Sequence, residues 1–236
     1  MTSQQTEEQS ADAVPSATPA LGLPPHGLVR WPAIVAILGA LGLYLILPEK
    51  LLVFSWLRPA LPGLEALLII PIVFTSVRDR YTHHPWKRPA FMALVAALTV
   101  AHFLALGRLV QILLHAPSSE ARTILFAAIQ VWVTNVIIFG LWYWELDRGG
   151  PVARLLAEPA DPDFLFPQMI TPGAAEPDWT PSFMDYLYVS FTNATAFSPT
   201  DTMPLTHWAK LLFMVQALGS LLVVGLVAAR AVNILT

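Results

Sequence analysis

Hydrophobic residues occur along this chain in long runs that are separated by short polar or proline-rich connections. A helix needs roughly 20 apolar residues to cross the hydrocarbon core of a membrane. Five segments approach or exceed that length, although the second is short and contains Pro71. They lie at 31–47, 61–77, 91–114, 123–144 and 208–235. The pattern therefore predicts an all-α membrane protein with five transmembrane helices.

The composition supports lipid as the solvent and excludes several classes of function. Of the 236 residues, 56% are hydrophobic and 12% are charged, whereas soluble domains carry about 25% charged residues. A net charge of −3 without a concentrated basic surface argues against a nucleic-acid partner. The absence of cysteine excludes disulfides and thiolate chemistry. We also find no metal-binding, cofactor or catalytic motif, and expect neither an enzyme nor a cofactor.

The ends and the connections of these runs predict how the chain is organised. Residues 1–29 are rich in Ser, Thr, Gln, Ala and Pro, and we expect a disordered N-terminal tail before a membrane domain at 30–236. The connection 78–88 carries the densest basic cluster, namely Arg78, Arg80, Lys87 and Arg88. Basic connections favour the cytoplasmic side. This places the N-terminus and the connection 145–182 in the cytoplasm.

The connection 145–182 is long, acidic and rich in proline. Phe164, Phe166 and Trp179 suggest that it lies on the membrane interface, and the alternative is a solvated linker. Glu145 and Asp147 either bind a cation or pair with the basic connection 78–88. The opposite charges on one predicted side favour pairing.

The stretch "YVSFTNATAFSPTD" (188–201) predicts a re-entrant segment at about 183–203, before the last span. Ser182 and Asp185 have the spacing of a capping box at the start of a helix. The apolar run that follows lasts only about three turns before Pro199 ends it, too few to cross a membrane. Irregular backbone at membrane depth needs protein or water around it. Hydroxyl and amide side chains that can supply partners are Thr192, Asn193, Thr195, Ser198 and Thr200.

Asp201 is a carboxylate that follows the loop's proline and precedes the last span. It is either a cation site or a cap for the helix that follows.

The same stretch resembles the potassium-channel pore signature S-F-x-T-x-T-T-V-G-Y-G-D. Ser190, Phe191, Thr195 and Asp201 match it without gaps. The segment 196–200 replaces T-V-G-Y-G and lacks the glycines whose backbone aims carbonyl oxygens at the ion. The resemblance implies a degenerate pore loop without potassium selectivity.

Over residues 30–235 the chain also resembles domain of unknown function 1345, a family of predicted bacterial integral-membrane proteins. The similar features are five spans, the basic connection after the second, and the motif "DYLYVSFTNATAFSPTD". Thr195, Phe197, Thr200 and Asp201 stand near the family's T-F-x-x-S-D residues. The resemblance implies a bacterial cytoplasmic membrane and leaves the activity open.

Polar residues inside the third span are further candidates, because ionisable groups there are costly. Arg108, Gln111 and His115 share one helix face. Either these three residues line a polar path, or Arg108 extends its side chain toward the nearby membrane interface. His102 is either a helix-bonded core residue or a proton relay.

Two pairs of polar residues, each four positions apart, lie in the last two spans. Gln130 and Thr134 are in the fourth span, and Gln216 and Ser220 are in the fifth. They either form interhelical hydrogen bonds or line a cavity.

Together these features predict a channel-like or transport-related membrane protein. Because one re-entrant loop makes only part of a filter, we expect several copies around one axis, with a small cation as the candidate substrate. The competing hypothesis is a non-transporting scaffold or accessory protein whose loop plugs the bundle. A continuous wet cavity favours the first hypothesis, and a dry, packed loop favours the second.

Overall fold

The computed structural model describes residues 31–46, 87–115, 121–155, 161–176, 179–195 and 201–235. Its helices are α1 (Trp31–Ile46), α2 (Lys87–His115), α3 (Ala121–Leu146), α4 (Pro151–Leu155), α5 (Pro167–Ile170), α6 (Phe183–Thr195) and α7 (His207–Leu235). Two short strands, β1 (Phe164–Leu165) and β2 (Met203–Pro204), pair antiparallel, with Phe164 opposite Pro204.

Three helices in the described part of the chain are long and apolar enough to cross a membrane. They cover Arg88–His115, Arg122–Gly149 and His207–Arg230, and they match the predicted third, fourth and fifth spans. The result is consistent with an integral membrane protein. Helix α1 has 16 residues and falls short of that length, while the predicted span 61–77 and the predicted tail 1–29 lie outside the described residues. The structure therefore shows, for three of the five predicted spans, a helix that is long and apolar enough to cross a membrane.

Helix α3 is the central element of the bundle, since α1, α2, α6 and α7 all pack against it. Its buried side chains include Ile138, Leu141 and Trp144, and Leu94 of α2 joins the same core. The outward faces of α2 and α7 are also apolar; Val100, Leu104, Leu218 and Leu221 are among the exposed residues. Helices that are apolar all round are typical of a lipid environment.

Helix α6 begins at one end of the bundle and finishes near the middle of its neighbours. At its start, the Phe183 ring lies 5.9 Å from that of Trp144, near the end of α3. Farther along, the Ser190 hydroxyl donates to the carbonyl oxygen of Val136, halfway up α3. The chain then returns, because β2 pairs with β1 beside the start of α6. Entry and return therefore lie at the same end of the bundle.

The described parts of the connection after α3, which are 147–155, 161–176 and 179–182, fold onto this end of the bundle, and we call them the cap. Arg148, Gly149 and Gly150 all have positive φ (49°, 75° and 98°), which produces a sharp turn directly after α3. Phe164 and Phe166 are buried in the main core. Tyr186 packs against both rings, so this part of the connection is packed on the protein and is not a solvated linker. Its predicted position on the membrane interface stays a prediction.

Candidate functional site

Helices α3, α6 and α7 meet in a polar junction centred on Gln216 of α7. The Oε1 atom of Gln216 accepts hydrogen bonds from the Tyr143 hydroxyl of α3 (2.5 Å) and from Asn193 Nδ2 of α6 (2.8 Å). Its Nε2 donates to the carbonyl oxygen and the hydroxyl of Ser190, at 2.9 and 2.6 Å. A side-chain amide has two acceptor sites and two N–H donors, so Gln216 is fully satisfied within one chain.

A second set of contacts lies deeper, at the end of α6. Trp132 Nε1 donates to Ser220 Oγ at 2.7 Å, and Ser220 Oγ donates to the carbonyl oxygen of Ala194. The last carbonyls of a helix have no partner inside the helix, so Ser220 and Trp132 supply one from α7 and α3. These bonds fix the end of α6 at mid-length of both long helices.

The junction contains one buried atom without a partner among the described residues. Asn135 Nδ2 donates to the carbonyl oxygen of Gln216 (3.3 Å), whereas its Oδ1 accepts nothing. The other contacts of the junction are hydrogen bonds in a low-dielectric interior, where such bonds are strong and fix the geometry of their members. The junction therefore positions α6 between the two long helices.

The residues that sequence reasoning selected divide into those the fold brings together and those it does not. Asn193, Gln216 and Ser220 belong to the junction. Thr192 and Thr195 bond back to their own helix, to the carbonyls of Tyr188, Val189 and Thr192. Ser198 and Thr200 lie outside the described residues.

Asp201 is exposed, and it does not cap the last helix. Thr206 does so instead, because its Oγ1 accepts from Ala209 N at 3.4 Å. Asp201 precedes the first turn of α7 by too many residues to reach its N–H groups. Of its two predicted roles, the cation site is the one that stays open.

Gln130 and Thr134 do not join Gln216 and Ser220. The interhelical bonds predicted between these helices exist, but α3 contributes Trp132, Asn135 and Tyr143. Thr134 lies instead on a small, largely apolar cavity between α1, α2 and α3, together with His102, Leu43 and Leu98. Spacing along one helix defines a face but not the neighbour that the face meets.

The third-span candidates have separate environments. Arg108 Nη1 donates to Gln111 Oε1 (2.9 Å), and His115 Nδ1 lies 2.8 Å from the Gln111 carbonyl oxygen, so the predicted shared face exists. Gln111 and His115 are exposed, so this face does not line an interior path. His102 is buried in the core, where its ring packs edge-on against Phe103.

A cluster around Asp147, which is 0% exposed, ties the cap to α6. The Tyr186 hydroxyl donates to Asp147 Oδ2 at 2.5 Å, and Asp163 N donates to Oδ1 at 2.9 Å. Arg154 donates to the Asp147 carbonyl oxygen at 2.6 Å and lies over the Tyr186 ring at 5.1 Å. Burial raises the pKa of Tyr186 well above its usual value, and the neighbouring Arg154 opposes that rise. Tyr186 therefore remains a donor at neutral pH.

Asp163 extends this cluster to the chain between α6 and α7. Its Oδ2 accepts from Arg148 N (3.0 Å), and its Oδ1 accepts from Thr206 Oγ1 (2.7 Å). Its carbonyl oxygen accepts from Leu205 N at 2.8 Å. One residue of the cap is therefore bonded to the turn after α3 and to the start of α7.

The predicted pairing of Glu145 with the basic connection 78–88 is confirmed for Arg88. Arg88 Nε lies 3.4 Å from Glu145 Oε1, and its Nη2 donates to the Glu145 carbonyl oxygen at 3.4 Å. Asp147 has other partners, Arg154 of the cap and Tyr186 of α6, which sequence reasoning did not select. In the sequence, the signal that Asp147 is buried was its position directly after a long apolar run. Among the described residues no three His, Asp or Glu side chains form a metal-binding cluster.

Comparison with family models, with curated proteins and with solved structures finds no match for this chain.

Proposed function

We propose that α3, α6 and α7 form a re-entrant pore module in a channel-like or transport-related membrane protein. The observation that carries the proposal is the path of α6. It starts beside Trp144 at the end of α3, finishes beside Trp132 and Ser220, and the chain returns to β1. A helix that enters to half depth and a chain that returns to the same side have the arrangement of a pore loop.

The remaining part of the proposal concerns the chain that follows α6. Irregular backbone at membrane depth is tolerated where it is covered by protein or lines a water-filled cavity. Residues 196–200 occupy that position in the sequence and lack the glycines of a potassium filter. We therefore propose a pore that passes small cations without potassium selectivity, with the exposed carboxylate of Asp201 at its mouth.

Several copies of the chain complete the proposed pore. Helix α7 has an exposed apolar seam, spaced alternately by three and four residues, and such spacing suits packing against another helix. The seam consists of Leu211, Met214, Leu218 and Leu221. Exposed residues farther along α6 (Tyr188 and Phe191) extend the apolar surface beside it. We propose that these surfaces meet between copies arranged around one axis.

The proposed setting keeps the five-span topology that the sequence indicates. The segments 31–47 and 61–77 are the first two spans, and the cap and the N-terminus lie in the cytoplasm. The proposed location is a bacterial cytoplasmic membrane.

Ion flux into liposomes tests the proposal. Purified wild-type protein is compared with Asp201→Asn and with Asp161→Asn, which removes an exposed carboxylate of the cap. We expect flux of K⁺ and Na⁺ above that of empty liposomes, lowered or altered in selectivity by Asp201→Asn alone. Folded wild-type protein without flux, or equal effects of both substitutions, contradicts the proposal.

A second function is favoured by the saturation of the polar junction. All four hydrogen-bonding positions of Gln216 are occupied within one chain, as expected of a dry, packed segment. The corresponding proposal is a non-transporting scaffold or accessory protein in which α6 and its loop plug the bundle. Absence of flux from folded, correctly oriented protein supports this alternative.

A further inference from the structure

We propose that the cap is a clamp that sets the position of residues 201–206, which lead into α7, and that Asp163 is the positioning residue through which it acts. The inference concerns the control of the proposed pore module, and it rests on the proposed function only for its flux measurement.

The first step of the argument is how residues 201–206 are held. Met203 and Pro204 pair with β1 of the cap, and Leu205 N donates to the Asp163 carbonyl oxygen at 2.8 Å. Thr206 Oγ1 donates to the Asp163 carboxylate at 2.7 Å. Residues 203–206 are therefore bound to the cap through its strand β1 and through Asp163.

The second step is how Asp163 itself is held. Its backbone N–H donates to the buried Asp147 carboxylate at 2.9 Å, and its own carboxylate accepts from Arg148 N at 3.0 Å. Asp147 is bonded in turn to Tyr186, in the second turn of α6. The position of the returning chain is therefore linked to α6 through two aspartates of one cluster.

The third step is the conformation of the turn that presents Arg148 N. Arg148 has φ 49°, in the left-handed region that is unfavourable for a residue with a side chain. Such conformations persist where the surrounding contacts determine them, and they are concentrated at switch regions and ligand sites. The bond from Arg148 N to Asp163 is such a contact, so loss of the Asp163 carboxylate favours relaxation of the turn.

These steps give the clamp a defined consequence. Thr195 is held by the α6 helix, whose end is bonded to α3 and α7, whereas Asp201 continues directly into the clamped segment 202–206. The separation between these two residues therefore depends on the cap. A change that detaches the cap moves Asp201 relative to α6 without breaking the polar junction.

Hydrogen exchange measured by mass spectrometry tests the clamp in the full-length protein. Asp163→Asn is nearly isosteric, but its Nδ2 cannot accept from Arg148 N once its Oδ1 faces Thr206. Thr206→Val removes the bond from the hydroxyl to Asp163 and also the bond from Ala209 N that caps α7, so its effect on the clamp is measured at residues 201–205, before that helix. Asp161→Asn is the matched control, since Asp161 is exposed. We expect exchange of the amides at 201–206 to rise about tenfold in Asp163→Asn, by less in Thr206→Val, and to stay unchanged in the control.

Two exchange results overturn the clamp. One is unchanged exchange at 201–206 in both variants, and the other is an equal rise throughout α6 and α7, which indicates general loss of the fold. If Asp163→Asn does not fold, Thr206→Val still decides the question.

Flux then separates the clamp from the proposed function. Altered flux in Asp163→Asn supports control by the cap, and flux equal to that of wild type overturns the control. Wild-type protein without flux contradicts the proposed function, and the exchange result then decides the clamp alone.

Discussion

The side-chain amide of Gln216 on α7 donates both of its hydrogens to Ser190 on α6, one to the carbonyl oxygen (2.9 Å) and one to the hydroxyl (2.6 Å). The hydroxyl of Ser190 in turn donates to the carbonyl oxygen of Val136 on α3. A short helix is thus attached to both long neighbours by one pair of residues. This attachment holds α6 beside the middle of both long helices, in the pore-module proposal and in the plug alternative alike.

Replacing Gln216 with leucine tests how much this attachment contributes to the fold. The change leaves the Tyr143 hydroxyl and the Asn193 amide without their shared acceptor in the core. Each unsatisfied buried group costs about 1–3 kcal/mol, so we expect a loss of that order in the free energy of unfolding, measured in detergent. Gln130→Leu is the control, because Gln130 is half-buried and has no side-chain hydrogen bond within the described ranges. Equal effects of the two changes contradict the role of the junction.

A second prediction concerns Tyr186 and its bond to the buried carboxylate of Asp147. Tyr186→Phe removes the donor and leaves Asp147 Oδ2, among the described residues, with Arg154 Nη1 alone, at 4.0 Å. A hydrogen bond to a charged group is worth about 1.5–3 kcal/mol, and we expect a loss of that size at pH 7. Tyr188→Phe is the matched control, since Tyr188 is exposed on the same helix.

The pH dependence of this effect follows from the raised pKa of Tyr186. Burial makes the folded protein hold the phenolic proton more tightly than the unfolded chain does. The contribution is therefore complete below the unfolded pKa of about 10 and is lost as the pH rises from there toward the folded pKa. Unfolding measured from pH 7 to 11 should show this alkaline decline in wild type and a smaller one in Tyr186→Phe. Parallel curves for the two proteins contradict the prediction.

The third prediction concerns the close approach of α3 and α6. A Cβ at Gly140 would lie 3.2 Å from the Leu187 Cα, a backbone atom that cannot move alone. We expect Gly140→Ala to shift α6 and to cost roughly 1–3 kcal/mol, because overpacking outweighs the gain in helix propensity. Gly107→Ala is the control, since no atom lies within 4 Å of a Cβ there. It should be neutral or stabilising by up to about 1 kcal/mol; a stabilising Gly140→Ala would show that the helices do not constrain each other.

The elements of this fold were predictable where the signal is local. The three long helices follow from apolar runs, and their observed bounds extend the predicted ones by a few residues. The capping box at the start of α6 was also predictable, because Ser182 and Asp185 have the required spacing. Ser182 N and Oγ both donate to Asp185 Oδ2 at 2.7 Å.

The partners of the polar residues were not predictable, because they depend on how the helices rotate against one another. Gln216 was a candidate, but Tyr143 lies at the end of an aromatic run that reads as an interfacial belt. Asp147 was expected to face a basic loop, yet it is buried against Arg154 and Tyr186. The left-handed turn at 148–150 creates that contact, and the glycines alone do not specify its direction.

The central claim, that the chain enters through α6 and returns to the same side of a membrane, is tested most directly by single-cysteine labelling. The chain contains no cysteine, so each introduced thiol is the only one present. Met184→Cys and Met203→Cys place exposed thiols at the start of α6 and on the returning strand, and Leu114→Cys places one at the opposite end of α2. The account predicts that an impermeant maleimide added to one side of sealed, uniformly oriented vesicles labels 184 and 203 together, and labels 114 only from the other side. Labelling of 184 and 203 from opposite sides would show that α6 and the residues after it cross the membrane, and would contradict the re-entrant module.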